Sequence, residues 1–406
     1  MKALILVVFL ALSSISLNLV NGQGYHKDIF IDAGCHLSQR TKLWAADSLG
    51  LSYENMTTKD SIVQHNKIAG NSQDLNGLLL YPDGSPRYRM IYTNGGKATA
   101  HGRTLGLEGI KHIRQFYNNG GSYMGSCAGA FIASKSHSSN TIPKEYYGLF
   151  PGRTKLTTLY DKSTGHHITP NSALLKYETF GNDMHIDSIY HWGGCYLRDN
   201  FQEGAEILLT FDYPEIPELD NQISCWSHKA SEKSGRLVVI GSHPEHETTG
   251  DGLKLAKAMI QYALSDQEHL SFKGELKKGE TIEMDKTSDD NQPLRTMIGD
   301  QQFHHFTINV PEGTDNLNIS LVAPGRFKFI IYADKQPISV PESAKFKSLE
   351  SASKASLAIS NPPAGKMHIA VQCTTRVYMT REGKDMKYTG NVDLLNGTPY
   401  SITTNW

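Results

Sequence analysis

A cysteine stands at the centre of GSCAG, residues 125–129. The residues before it are typical of a short strand, and those after it of the start of a helix. Glycines on both sides allow a strained turn that exposes the central side chain, as in a nucleophile elbow. A helix N-terminus behind the sulfur favours the thiolate. The stretch predicts a nucleophilic Cys127, although it also fits a small residue packed in a tight turn.

A second stretch supplies a candidate base. IGSHPE, residues 240–245, follows a strand of the buried type. His243 and Glu245 are two residues apart, so in an extended segment they project to the same side, and Pro244 restricts the backbone between them. We expect Glu245 to orient the imidazole as the third member of a triad with Cys127. Exposed loops also contain such runs, so the prediction depends on both stretches lying at strand ends.

An oxyanion formed by attack on a carbonyl group requires backbone donors. The N–H of Ala128 follows the nucleophile directly, and the N–H of Gly96 lies in the turn YTNGGKA at the end of an upstream strand. Loss of one such donor raises the barrier by about 3 kcal/mol. We expect Asn94 and Gly95 to shape this turn and to line the substrate pocket.

The turn HWGGCYL, residues 191–197, is the next candidate for the site. We predict that its first four residues line the pocket: His191, Trp192, Gly193 and Gly194. A purely structural turn with a packed tryptophan is an equally good interpretation. The remaining histidines are scattered, without the helical spacing of a zinc protease, so we expect no metal.

Two patterns divide the chain. Residues 26–265 alternate strand and helix signals, which predicts a parallel sheet covered on both faces by helices in a domain of residues 23–266. Short alternating strands without helical spacing follow, which predicts an antiparallel β-sandwich over residues 267–406.

The N-terminus and the charge balance indicate a compartment. One lysine and an apolar stretch in residues 1–22 predict a cleaved signal peptide rather than a membrane anchor, and no other segment predicts a stable membrane span. We expect secretion, or residence in an endosomal or lysosomal lumen. A formal net charge of −1 argues against nucleic acid as a partner. Three sequons predict glycosylation, at Asn55, Asn318 and Asn396.

Export makes disulfides possible, and the five cysteines leave at least one thiol unpaired within the chain. A disulfide between two of Cys35, Cys195 and Cys225 is one option, and the full pairing stays open. Cys373 alternates inward in an apolar strand and reads as an inert core thiol.

The quoted residues resemble a known superfamily. GGSYMGSCAGAF, residues 120–131, together with GSHPE is similar to class I glutamine amidotransferase-like proteins. The closer resemblance is to the N-terminal domain of eukaryotic biotin–protein ligases, over residues 26–264. That domain shows the same order of stretches, here DIFIDAGCHL, YTNGGKA, GGSYMGSCAGAF, GLFPG, HWGGCYL and GSHPE.

The resemblance implies a flavodoxin-like, doubly wound and mostly parallel sheet, and it assigns the positions of Cys127, His243 and Glu245. Glutaminases of this superfamily carry a glutamine four residues after the nucleophile. Phe131 stands there, in the predicted pocket, which argues against simple glutaminase activity. The sequence contains no adenylate loop of a biotin ligase catalytic domain, so the resemblance does not imply ligase activity.

Together these features predict a secreted cysteine hydrolase that cleaves an amide or peptide-like C–N bond through a thioester. We expect the substrate to be a small molecule or a peptide amide, and the resemblance implies an amide of the γ-glutamyl type. We expect that no cofactor is needed. A catalytically silent member that binds a small molecule or a protein is one alternative. An adhesion or glycan-binding protein that works through an accessory β-sandwich is another.

Overall fold

The structure is a computed structural model that describes residues 24–32, 42–56, 78–135, 139–198, 204–265, 270–339, 341–382 and 385–406. The predicted signal peptide and Cys35 lie outside these residues. Within these residues the helices are α1 (Trp44–Ser48), α2 (Ala98–Asn118, interrupted at Gly106), α3 (Ala128–Ala133) and α4 (Gly250–Leu264). Among the described residues, no helix has both the length and the apolar character needed to cross a membrane.

The N-terminal part is built around one large sheet. Its strands and a small separate pair are β1 (Lys27–Asp32), β2 (Tyr53–Met56), β3 (Tyr88–Thr93), β4 (Ser122–Ser126), β5 (Thr154–Leu156), β6 (Lys162–Ile168), β7 (His185–His191), β8 (Cys195–Leu197), β9 (Ala205–Asp212), β10 (Ile223–His228) and β11 (Leu237–Ile240). The nine-stranded sheet has the order β2-β1-β3-β4-β11-β10-β9-β6-β7, and β5 pairs with β8.

The sheet is mixed. Strands β2, β1, β3, β4 and β11 are parallel, whereas β10, β9, β6 and β7 pair antiparallel. The α/β class is therefore confirmed, but the sheet is less parallel than expected. The described residues between β5 and β11 contain no α-helix. Without helical crossovers, consecutive strands pair antiparallel.

Apolar side chains cover both faces of this sheet. Along β1, Ile29 and Ile31 join one hydrophobic cluster and Phe30 joins the other. Residues of α2 and α3 bury against the Phe30 side, and residues of α1 and α4 against the opposite side. Central strands β3, β4 and β11 are buried along their whole length, so both faces need apolar residues. This placement leaves the ends of β4 and β11 as neighbours at one edge.

The described residues of the C-terminal part form strands and short 3₁₀ turns, and no α-helix occurs among them. The strands are β12 (Phe272–Leu276), β13 (Thr281–Met284), β14 (Phe303–Val310), β15 (Asn316–Val322), β16 (Phe329–Asp334), β17 (Phe346–Lys347), β18 (Lys354–Ser360), β19 (Gly365–Cys373), β20 (Val377–Glu382), β21 (Asp385–Gly390) and β22 (Tyr400–Asn405). Two sheets have the orders β12-β14-β19-β16-β17 and β13-β22-β15-β18, and β20 pairs with β21. Residues of both larger sheets share one hydrophobic cluster. Pairing is antiparallel except between β12 and β14.

A buried charge network joins the two parts. Arg87 and Asp300 form an ion pair with no exposed side-chain surface. His26 binds Asp300 Oδ2 through Nδ1 at 2.6 Å and Glu54 Oε1 through Nε2 at 2.8 Å, and the Tyr88 hydroxyl donates to Glu54 at 2.7 Å. Burial opposes the charge on His26, but hydrogen bonds to Asp300 and Glu54 raise its pKa to about 9. Charges buried this deeply persist because each has a partner.

Candidate active site

Cys127 lies at a tight turn between β4 and α3. Its backbone has φ 49° and ψ −106°, a conformation that a residue with a side chain adopts only under strain. Its N–H donates to the Ile240 carbonyl at 2.9 Å, which ties the turn to the end of β11. Only 5% of its surface is exposed. The predicted strand, strained turn and helix are thus present in the predicted order.

The glycines beside this turn permit a close backbone approach. A Cβ atom on Gly129 would lie 2.1 Å from the carbonyl oxygen of Thr93, where β3 ends. A Cβ atom on Gly125 would lie 2.7 Å from the carbonyl carbon of Gly129. The positive φ falls on Cys127 itself. Glycine is therefore needed here because α3 crosses the strand ends at backbone distance.

His243 and Glu245 lie directly after β11. His243 Nδ1 is 2.9 Å from Glu245 Oε1, and the His243 backbone N–H donates to the Tyr190 carbonyl at 2.8 Å. The segment from Pro244 to His246 is a 3₁₀ turn rather than extended chain, yet the pair still forms. Because Glu245 engages Nδ1, Nε2 is the ring nitrogen left for Cys127.

The pair is charged at neutral pH. Burial opposes the imidazolium, but the carboxylate of Glu245 and the neighbouring Cys127 raise the pKa of His243 to about 10. Burial also opposes ionisation of Glu245, and the charge of His243 nevertheless holds the pKa of that carboxyl below its usual value. A protonated imidazole beside a thiol stabilises the thiolate and can donate a proton to a leaving group.

Tyr92 is a member of this site that no sequence pattern indicated. Its hydroxyl lies 2.9 Å from Ser126 Oγ, one residue before the cysteine. Burial and the negative charge of Glu245 raise the pKa of Tyr92 well above its usual value. Tyr92 therefore stays neutral beside Glu245. Only its position as the penultimate residue of β3, near the turn that carries Gly95, could have suggested a contact with the site.

The turn after β3 packs against the imidazole ring of His243. A Cβ atom on Gly95 would lie 2.4 Å from His243 Cε1. Asn94, Gly95 and Ala128 contribute to the wall of a cavity of about 10 Å³, and Gly96 follows with φ 141°. Ala128 N–H is the first amide of α3, so no carbonyl of its own helix accepts from it. The predicted donors therefore lie in segments that meet beside the cysteine and the histidine.

The turn at Trp192 covers the sulfur. The Cys127 thiol donates to the Trp192 carbonyl at 3.4 Å. The indole is 51% exposed and meets Tyr160 edge-on, with 6.0 Å between ring centroids. Gly193 donates its N–H to Leu159, and Gly194 lies against the backbone of Gly241. The turn thus places a backbone carbonyl against the buried thiol and leaves the Trp192 side chain half-exposed.

His191 is a buried residue directly before the Trp192 turn, not a side chain exposed to solvent. It is fully buried, with Nε2 2.7 Å from Thr157 Oγ1 and Nδ1 2.9 Å from Ser242 Oγ. Burial and the nearby charge of His243 lower the pKa of His191 to about 3, so its ring is neutral. Phe131 is half-buried on α3 and packs against the hydrophobic cluster on that face. His191 therefore connects the Trp192 turn to the residue before His243.

Cys195 adjoins the candidate active site, directly after Gly194, and a charge on Cys127 would raise the pKa of the Cys195 thiol further. Asn318 and Asn396 are exposed, whereas Asn55 is 7% exposed within β2. Of the four cysteines in the described residues, none forms a disulfide, and three besides Cys127 have no exposed surface: Cys195, Cys225 and Cys373. Burial raises the pKa of each of these three thiols.

Comparison with known proteins locates one family. Residues 85–280 match the family described as "Biotin-protein ligase, N terminal". No curated protein matches the chain. Among solved structures, the pre-peptidase C-terminal domain of collagenase from Bacillus anthracis aligns at 11% identity, over 34% of this chain and 100% of that domain, with a TM-score of 0.22. The resemblance to the biotin–protein ligase N-terminal domain is therefore confirmed over residues 85–280, which include every candidate catalytic, oxyanion and pocket residue.

Proposed function

We propose that the protein is a secreted cysteine hydrolase that cleaves an amide or peptide-like C–N bond through a thioester. The observation that carries this proposal is the arrangement of three groups: Cys127 in a strained turn at the start of a helix, His243 beside it, and Glu245 hydrogen-bonded to His243 Nδ1 at 2.9 Å. A strained, helix-capping cysteine has no evident use in packing, whereas it suits a nucleophile.

The proposed reaction begins from the Cys127 thiolate and the His243 imidazolium. The thiolate attacks the carbonyl carbon, and the N–H groups of Ala128 and Gly96 donate to the oxyanion. The imidazolium gives its proton to the leaving amine as the C–N bond breaks. Neutral His243 then takes a proton from water, and the resulting hydroxide attacks the thioester carbonyl. The C–S bond breaks, which releases the carboxylic acid and restores the thiolate and the imidazolium. Glu245 holds the ring in one orientation throughout.

The proposal extends to fold and compartment. The parallel strands run β2-β1-β3-β4-β11, which is the strand order of flavodoxin-like sheets and supports membership of the glutamine amidotransferase-like superfamily. The shared cluster of the two C-terminal sheets supports a β-sandwich. The N-terminal sequence supports export through a signal peptide, with the substrate a peptide amide of the γ-glutamyl type.

A covalent adduct tests the proposed chemistry. Purified protein is incubated with a panel of γ-glutamyl and peptide amides and esters, quenched in acid and analysed by intact mass and peptide mapping. We expect an acyl group on Cys127, retained longer in His243→Ala, which cannot activate water. Cys127→Ser removes the thioester, and Cys373→Ser is the matched control because that thiol is buried elsewhere. Absence of any adduct across the panel, or adducts equally at other thiols, would refute the proposal.

A silent binding protein is the second candidate, and one contact favours it. The Trp192 carbonyl accepts from the Cys127 thiol at 3.4 Å, and a carbonyl oxygen at that place stabilises the thiol rather than the thiolate. The thiol is also 5% exposed. A hydrolase must therefore shift the Trp192 turn when substrate arrives. Iodoacetamide labelling of Cys127 at the rate of a buried thiol such as Cys373 would favour this candidate.

A groove supports the third candidate, a glycan-binding β-domain. Its volume is about 530 Å³, and it is lined by Lys278, Pro311, Glu312, Gly313, Thr314, Asp315, Asn316, Asn318, Asn405 and Trp406. Polar side chains around one indole ring suit the hydroxyl groups and the apolar face of a sugar. Glycan arrays probed with the full chain and with Trp406→Ala test it. No signal above background, or signal unchanged by the substitution, would exclude this groove.

A further inference from the structure

Three potential metal ligands meet on one face of the nine-stranded sheet, at the side away from the parallel strands. His167 lies on β6, His185 on β7 and Asp212 on β9, and β6 pairs with both neighbours. His185 Nε2 is 2.6 Å from Asp212 Oδ2, and His167 Nε2 is 3.6 Å from Asp212 Oδ1. One ligand atom from each residue lies within 4.8 Å of the others.

The strand register explains why the three side chains share a face. His167 stands opposite His185, and Gly165, two residues before His167, stands opposite Asp212. Residues two apart on a strand point to the same side. Gly165 also leaves the space between them open, since a Cβ atom there would lie 3.3 Å from His185 Nε2.

A carboxylate outside the three ligands orients one imidazole. His185 Nδ1 is 2.9 Å from Asp187 Oδ1, so Nε2 is turned toward Asp212. Metal-binding histidines commonly donate their second nitrogen to a carboxylate in this way. The side chains of His167 and Asp212 are 49% and 33% exposed, so a hydrated ion can reach them from solvent.

The sequence led us to expect no metal, because His167, His185 and Asp212 are far apart along the chain; since the sheet brings them together, we propose that they bind a divalent transition metal of the Zn²⁺ class. Two imidazole nitrogens and one carboxylate oxygen suit Zn²⁺ and disfavour Mg²⁺ and Ca²⁺, which prefer oxygen ligands. Zn²⁺ bonds of about 2.0–2.2 Å are reached by rotating these side chains, since their donor atoms already lie within 4.8 Å of one another. Water completes the coordination.

The proposed site is separate from the candidate active site. His185 begins β7 and His191 ends it, so about 20 Å of strand separates the metal ligands from the Trp192 turn. The metal would join the three antiparallel strands β9, β6 and β7, of which β7 is the outer strand of the sheet. It therefore serves to fix this edge or to bind a ligand there, and not to activate Cys127. A second group with comparable spacing, His243, Glu245 and His246, belongs to the candidate active site.

Zinc titration against a chromophoric chelator tests the proposal, in a Cys127→Ser background so that this thiol cannot bind the ion. We expect one Zn²⁺ per chain, bound at least 100-fold more weakly after His185→Ala or Asp212→Asn. Asp187→Asn, at a 96% exposed side chain that is no risk to folding, should weaken binding about 10- to 100-fold. His246→Ala is the matched control and should leave the affinity unchanged.

Three outcomes overturn the proposal. If the parent binds no Zn²⁺, or if Asp212→Asn and Asp187→Asn bind as the parent does, the three residues are not ligands. If His246→Ala abolishes binding, the ion occupies the candidate active site instead. Co²⁺ absorption spectra of the parent and of His167→Ala give an independent readout, because loss of an imidazole ligand changes the visible bands.

Discussion

Gly95→Ala is the sharpest perturbation of the candidate active site, because it alters only a contact with His243. The added Cβ atom would lie 2.4 Å from His243 Cε1, and ordinary contact begins at 3.4 Å. The backbone of Gly95 does not have positive φ, so alanine brings no conformational strain of its own. The substitution therefore acts by displacing the imidazole ring by about 1 Å.

The expected effect on the thiol lies between two limits. For a thiolate and an imidazolium at a typical hydrogen-bond separation of about 3.5 Å, moving the ring about 1 Å away from the sulfur at an effective dielectric constant near 20 costs about 1 kcal/mol, or roughly sixfold in thiolate population. An ordinary cysteine is only about 3% ionised at pH 7, so complete loss of the imidazolium slows alkylation by at most about 30-fold. We expect Gly95→Ala to slow iodoacetamide labelling of Cys127 by a factor between these values. A displacement of about 1 Å can lower turnover about 100-fold.

Labelling rates at pH 7 are measured by peptide mass spectrometry in the parent, Gly95→Ala, His243→Ala and the double variant. Gly325→Ala is the matched control, since a Cβ atom there meets only Ser353 at 3.6 Å. If Gly95→Ala slows labelling by displacing the His243 imidazole, the double variant should label at the same rate as His243→Ala alone. The reasoning is wrong if Gly95→Ala labels within twofold of the parent while its circular dichroism is unchanged, or if its effect persists without His243.

Three further predictions concern stability. His26 has a pKa of about 9 in the fold and 6.5 as its ordinary value, so its contribution to the free energy of unfolding is complete below about pH 6.5 and is lost as the pH rises through 9. In urea unfolding, the free energy of His26→Gln should therefore fall less steeply between these pH values than that of the parent. An equally steep fall in both proteins would contradict this prediction. Asp300→Ala leaves the buried Arg87 without its carboxylate, which should lower the free energy of unfolding by about 3–5 kcal/mol, whereas the exposed-pair control Asp393→Ala should lower it by under about 1 kcal/mol; equal losses for the two variants would contradict this prediction. Gly129→Ala should cost about 1–3 kcal/mol in thermal unfolding, because its Cβ atom meets the Thr93 carbonyl at 2.1 Å, and a melting temperature equal to the parent's would refute that contact.

Several features of this protein follow from short stretches of sequence. The alternation of strand and helix signals, and the change to strands alone after about residue 265, depend on local periodicity, and the α/β class was predicted correctly from it. The turn at Cys127 and the proximity of His243 to Glu245 were also predictable. Each involves residues within a few positions of one another, so backbone geometry alone determines the contact.

Other features depend on strand order and register, which no local pattern specifies. The antiparallel half of the sheet, the contact of Gly95 with His243 and the meeting of His167 with Asp212 join residues far apart in sequence. His191 was predicted to line the pocket, yet it is buried with both ring nitrogens hydrogen-bonded, because the approach of β7 to Thr157 and to Ser242, in the turn after β11, decides which way the ring points. Side-chain chemistry and local backbone conformation can be predicted from the sequence. Which side chains share a face or a buried charge is decided only when the sheet assembles, because packing selects one register among many that local propensity allows.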